Sequence, residues 1–147
     1  IYTPINGNAD IQFNIYVNSL SMRLDNIAEV IFAVAPANDR LTPSSAARFK
    51  LHLEDPGEKK VIHFALADAG ENNGVNLGTQ HYEYGRTYNI RLLLSATCMD
   101  VFINGFRMDE RLELPIGSKV FYIGYTLPVY TEMDVRISDI TVDGVAK

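Results

Sequence analysis

Apolar residues recur at every second position in run after run of this chain. Ile11, Phe13, Ile15 and Val17 alternate with Gln12, Asn14 and Tyr16. Arg48 to Leu53 alternates as cleanly, with Phe49, Leu51 and Leu53 inward and Arg48, Lys50 and His52 outward. Tyr88, Ile90, Leu92 and Leu94 repeat the pattern in Thr87 to Leu94. A period of two is the signature of a strand with one buried face. Ala28 to Ala35 is instead a nearly unbroken apolar run and predicts a strand buried on both faces. Lys60 to Ala67, Met99 to Ile103, a return beginning at Phe106, Lys119 to Thr126 and Asp134 to Val142 complete the set.

The punctuation agrees. Pro36, Pro43, Pro56, Pro115 and Pro128 fall in the gaps, because proline has no N–H to give to a ladder. Asp55-Pro56-Gly57 is a turn, and Asn104-Gly105 suits the positive φ of a type I′ hairpin. Helical periodicity is nearly absent; Ser44 to Arg48 allows one turn at most. Eight or more short strands predict an all-β antiparallel two-sheet sandwich, and 147 residues suit one domain of jelly-roll size.

Four pieces of the C-terminal half occur in a telling order. They are Tyr88-Asn-Ile-Arg-Leu92, Met99-Asp-Val-Phe-Ile-Asn-Gly105, Phe121-Tyr-Ile-Gly124 and Asp134-Val-Arg-Ile-Ser-Asp-Ile140. Together, over residues 86–143, they resemble the concanavalin A-like lectin/glucanase superfamily, in particular its laminin-G-like branch. The resemblance implies a jelly roll with one concave face. It also implies glycan or protein binding on that face or on edge loops, with catalysis in some members.

The glucanases of that superfamily carry three carboxylates on one strand. Here Glu132-Met-Asp134 lacks the third, since Arg136 or Ile137 stands in its place. A nucleophile without an acid/base partner does not hydrolyse a glycoside, so the expectation is a domain that is not an enzyme. His52, His63 and His81 lack metal-ligand spacing, and no phosphate-binding or serine-hydrolase motif occurs. The 13 basic residues are outnumbered by 18 acidic ones and scattered, which argues against nucleic acid as partner. No apolar run reaches the roughly 20 residues of a membrane span. The single cysteine, Cys98, reads as a small core residue. Ile1 reads as a processed or excised start.

Carbohydrate binding requires flat apolar faces beside hydrogen-bonding groups. Trp is absent, but there are eight tyrosines. Tyr82 and Tyr84 lie two apart in a stretch read as extended, with Arg86 on the same side and Asn76 and Gln80 nearby. Tyr125 and Tyr130 follow the Gly124 strand. These seven residues form the expected glycan platform, set against tyrosines that merely line sheet margins. The oxygen-rich loop at Asp68, Glu71 and Asn73 is read as a solvated turn with a structural calcium site as the alternative; no other cofactor is expected. Two function classes follow. One is a carbohydrate-binding module of a larger extracellular or cell-surface protein. The other is an adhesion or structural sandwich that contacts protein.

Overall fold

Alternation in the sequence becomes two six-stranded antiparallel sheets in a computed structural model of the chain. The structure describes residues 2–21, 27–37, 46–54, 61–67, 75–76, 83–127 and 131–147. The strands are β1 (Tyr2–Ile5), β2 (Ala9–Ser21), β3 (Ile27–Pro36), β4 (Ala47–Glu54), β5 (Val61–Ala67) and β6 (Val75–Asn76). They continue with β7 (Thr87–Leu94), β8 (Cys98–Ile103), β9 (Phe106–Glu113), β10 (Lys119–Thr126), β11 (Glu132–Val142) and β12 (Val145–Ala146). No helix occurs among the described residues, so none there could cross a membrane.

Sheet A runs β1-β10-β3-β4-β5-β6, and sheet B runs β12-β11-β2-β7-β8-β9. Their inner faces meet in one core. Phe13 from sheet B stacks on Phe32 from sheet A with ring centroids 4.4 Å apart. Phe49 and Phe64 extend the stack along sheet A, and Tyr88 closes it edge-on. Phe13, Ile15, Val30, Phe32, Phe49, Leu51, Ile90, Leu92, Val101 and Ile103 are buried as the alternation predicts. Ile123, Val135 and Ile137 pack on that core but are only partly buried.

β3 is buried on both faces. Val30, Phe32 and Val34 join the main core, while Ala33 and Ala35 join a second apolar cluster with Ala46 and Val120 on the outer side of sheet A. Asn104 and Gly105 have φ of 51° and 83°, as the type I′ reading requires. Asp143-Gly144, with φ of 51° and 78°, makes a second such turn that adds the short β12. Pro4 lies in β1, at the edge of sheet A, where a missing N–H costs nothing.

Two sequence expectations need correcting. Cys98 is not a core residue: it is half-buried, with its Sγ 3.0 Å from Ser95 Oγ, because it starts β8 with its side chain on the outer side of sheet B. Tyr84 and Gly85 form a turn and are not extended. Gly85 sits at φ 74° in a turn pinned by its N–H to the Val17 carbonyl, so a period-two projection does not apply there. The turn read at 55–57 lies outside the described residues, as does most of the helical turn at 44–48; Ala47 and Arg48 are strand.

Candidate functional site

The outer side of sheet A carries an arrangement that an open surface does not need. Cross-strand pairing aligns Tyr122, Ala33, Arg48 and Ala67 in one row. The next row aligns Gly124, Ile31, Lys50, Ala65 and Asn76. A third aligns Thr126, Glu29, His52 and His63. From β10 to β6 such a row spans about 19 Å at the usual strand spacing. That is long enough for several linked sugar rings.

Arg48 and Lys50 lie on this outer side, yet they are only 3% and 7% exposed. A buried cation costs several kcal/mol of desolvation unless partners repay it. Lys50 Nζ is 3.5 Å from Glu29 Oε2. Arg48 lies close enough to Tyr122 for its charge to act on the phenol. Burial pushes the Tyr122 hydroxyl above the ordinary tyrosine value, and the Arg48 charge offsets only part of that. Tyr122 is therefore a neutral hydroxyl at physiological pH, able to donate a proton or a hydrogen bond. Glu29 and Tyr122, both half-buried, form the accessible margin.

The alternation of Arg48, Lys50 and His52 implied open solvent on that side. The missed signal was in the neighbouring strand. A strand buried on both faces, as Ala28 to Ala35 announces, cannot be flanked by charges on a fully open surface.

The expected platform residues fall only in part among the described residues. Asn76 takes its place in the Lys50 row by backbone register. Tyr84 packs on the main core, so its ring is not a free stacking surface. Arg86 is exposed and lies 3.7 Å from Glu83, which is also exposed. Tyr125 is 71% exposed, on β10, at the rim of an apolar pocket of about 140 Å³ floored by Val30, Ile123 and Val135. Tyr82, Gln80 and Tyr130 lie outside the described residues, as do Asp68, Glu71 and Asn73 of the calcium reading. Among the described residues, no cluster of three or more His, Cys, Asp or Glu could hold a metal ion.

No family model matches the chain, and no curated protein sequence does. Solved structures match it in fold. The PL7 alginate lyase AlyA1 from Zobellia galactanivorans superposes with a TM-score of 0.62 at 16% identity, over 97% of this chain and 64% of that one. An alginate lyase from Pseudomonas aeruginosa gives 0.59 at 12% identity, over 92% and 64%. Sheep galectin-11 gives 0.58 at 10% identity, over 97% and 96%. The fold is the concanavalin A-like jelly roll. This jelly roll spans 64% of the length of those two lyases and nearly all of the galectin.

One expectation falls with this finding. The chain was read as not an enzyme because one glucanase carboxylate is missing. Alginate lyases are enzymes built on the same jelly roll. The missing carboxylate therefore excludes one catalytic arrangement and not catalysis itself.

Proposed function

We propose that the outer side of sheet A binds a carbohydrate chain that carries carboxylates. The observation that carries this reading is the pair of enclosed cations, Arg48 and Lys50, two residues apart on one strand. Beneath the accessible margin that Tyr122 forms, the two cations set a positive field that draws the successive carboxylates of an extended acidic glycan. The Tyr122 hydroxyl supplies a neutral partner for a sugar hydroxyl in the Arg48 row. The likeness in fold to alginate lyases and to galectins supports a carbohydrate over other polyanions. Such a ligand suits an extracellular or cell-surface protein.

Affinity electrophoresis in gels containing alginate or pectate tests this. Both polysaccharides should retard the protein, less so as salt is raised, while neutral galactomannan should not. Arg48→Gln should abolish the retardation. Tyr122→Phe, which keeps the ring, should weaken it in a protein of unchanged melting temperature. Unretarded migration in every acidic gel overturns the reading.

A second reading, β-elimination on the same face, is favoured by Tyr122, a neutral hydroxyl beside Arg48. Arg48 and Lys50 would neutralise a uronate carboxylate and so acidify the adjacent C–H. A general base would take that proton, the C–O bond to the leaving sugar would break as a C=C bond forms, and Tyr122 would protonate the departing oxygen. Growth of ultraviolet absorbance from the unsaturated product, lost in Tyr122→Phe, is the expected result. No growth with alginate or pectate leaves binding alone.

A further inference from the structure

The opposite side of the sandwich holds a cleft of about 470 Å³ at one end of sheet B. We propose that it is a second saccharide site, specific for an uncharged sugar and independent of sheet A.

Its floor is one cross-strand row: Asp10 on β2, Leu93 on β7, Asp100 on β8 and Arg111 on β9. Leu93, an apolar side chain 36% exposed, thus lies between two carboxylates. Both carboxylates are held in place by arginines, Arg91 and Arg107 from the neighbouring row and Arg111 from the floor itself. Arg91 grips Asp10 with two bonds of 2.9 and 2.8 Å, Nε to Oδ1 and a terminal N–H to Oδ2. Arg111 grips Asp100 in the same way at 2.8 and 3.0 Å. Arg107 adds bonds of 3.3 and 3.1 Å to Asp100 Oδ1. At the rim, Asp143 accepts the Asp10 backbone N–H at 2.9 Å through its own Oδ1.

The charges decide the ligand class. Three carboxylates, Asp10, Asp100 and Asp143, line the cleft with one guanidinium, Arg111, while Arg91 and Arg107 reach Asp10 and Asp100 from the neighbouring row. Both floor carboxylates are therefore already paired with arginine, which leaves the floor itself without a free charge for an anion or a metal cation. What it offers is fixed pairs of acceptor and donor side by side. A carboxylate oxygen with spare lone pairs beside a guanidinium N–H matches two adjacent hydroxyls, one donating and one accepting. Leu93 between the pairs matches the apolar C–H face of a sugar ring. Because the arginines already fix the carboxylates, little side-chain entropy is lost on binding.

The chain carries its own reporter. Cys98 is its sole cysteine, is half-buried, and lines this cleft. Alkylation of Cys98 by iodoacetamide should be slowed by a neutral hexasaccharide in the cleft. The probes are maltohexaose, cellohexaose, laminarihexaose, mannohexaose and xylohexaose. At least one should protect the thiol and shift the amide resonances of Asp10, Leu93 and Asp100 in a nitrogen-15 NMR titration. The effect should not depend on salt, unlike retardation by alginate on sheet A. Leu93→Lys, at an exposed position, should weaken protection about tenfold or more while alginate retardation is unchanged. Arg48→Gln should leave protection intact. Protection by none of the five sugars overturns the proposal, as does protection that survives in Leu93→Lys. So do calcium-induced shifts at these resonances, which would mark a cation site.

Discussion

Asn89 and Asn104 clamp each other across the β7–β8 pair. The Asn104 backbone N–H donates to the Asn89 carbonyl at 2.8 Å, and the Asn89 N–H donates to Asn104 Oδ1, also at 2.8 Å. The β8–β9 hairpin is thereby tied to the middle of sheet B, where β7 also pairs with β2. Asn104 does this from φ 51°, a conformation that Asn tolerates better than other non-glycine residues. Asn104→Ala loses the acceptor and adds strain, and should lower stability by about 1–3 kcal/mol. Asn104→Asp keeps both features and should cost less than about 1 kcal/mol. Urea unfolding midpoints of the two variants check the ranking.

Gly105 follows at φ 83°, with no heavy atom within 4 Å of where a Cβ would stand. Any penalty for a side chain there is conformational, not steric. Gly105→Val should therefore cost about 1–3 kcal/mol. Gly105→Asn should cost clearly less. Equal midpoints for these two variants would show that the turn is not under φ control.

The aromatic stack predicts an uneven core. Phe32 is fully buried and touches both Phe13 and Phe49, so Phe32→Ala should cost about 3–5 kcal/mol. Ile123 was placed in the core by the same alternation, but it is partly exposed near the apolar pocket under Tyr125. Ile123→Ala should cost only about 1–2 kcal/mol, since part of its surface already meets water. Denaturant titrations of the two variants compare these costs.

These contrasts show what was legible in the sequence. Strand identity and inward faces follow from a local period of two, and that period is strong wherever one face is buried. Turn type followed at Asn104-Gly105 because two adjacent residues determine it. The same logic applies at Asp143-Gly144, where the strand that follows, β12, is only two residues long. The candidate site was harder to read. Arg48, Lys50, Glu29 and Tyr122 come from three strands far apart in sequence, and only sheet order brings them together. Tyr84 and Arg86 were misread for a different reason: Gly85 breaks the extended chain on which their common side depended.

Asp10 makes acid stability dependent on Arg91. The Arg91 hydrogen bonds hold the Asp10 carboxyl below its ordinary value, against a smaller opposing effect of burial. A folded-state value below the unfolded one means that the stabilisation is complete above the unfolded carboxylate value, about 4. It is lost as pH falls from there through the folded value. Arg91→Gln should therefore lower stability above about pH 4 and converge with the parent as pH falls further, so that the acidic part of its profile is flatter. Melting temperatures of parent and variant across an acidic series, with a carbon-13 NMR titration of the Asp10 carboxyl, measure this.

Tyr122 sets the corresponding behaviour at the alkaline end. Burial raises its hydroxyl above the usual value of about 10, and the charge of Arg48 pulls the other way. The unfolded chain therefore loses this proton first as pH rises. The stabilisation is complete below about 10 and declines as pH climbs through the folded-state value. Removing the offsetting charge should push the phenol higher still. In Arg48→Gln the ultraviolet titration step assigned to Tyr122, by its absence in Tyr122→Phe, should move to higher pH than in the parent. A step that moves to lower pH, or does not move, would mean that Arg48 does not act on Tyr122. The proposed pairing of a cation with a neutral proton donor on sheet A would then lose its basis.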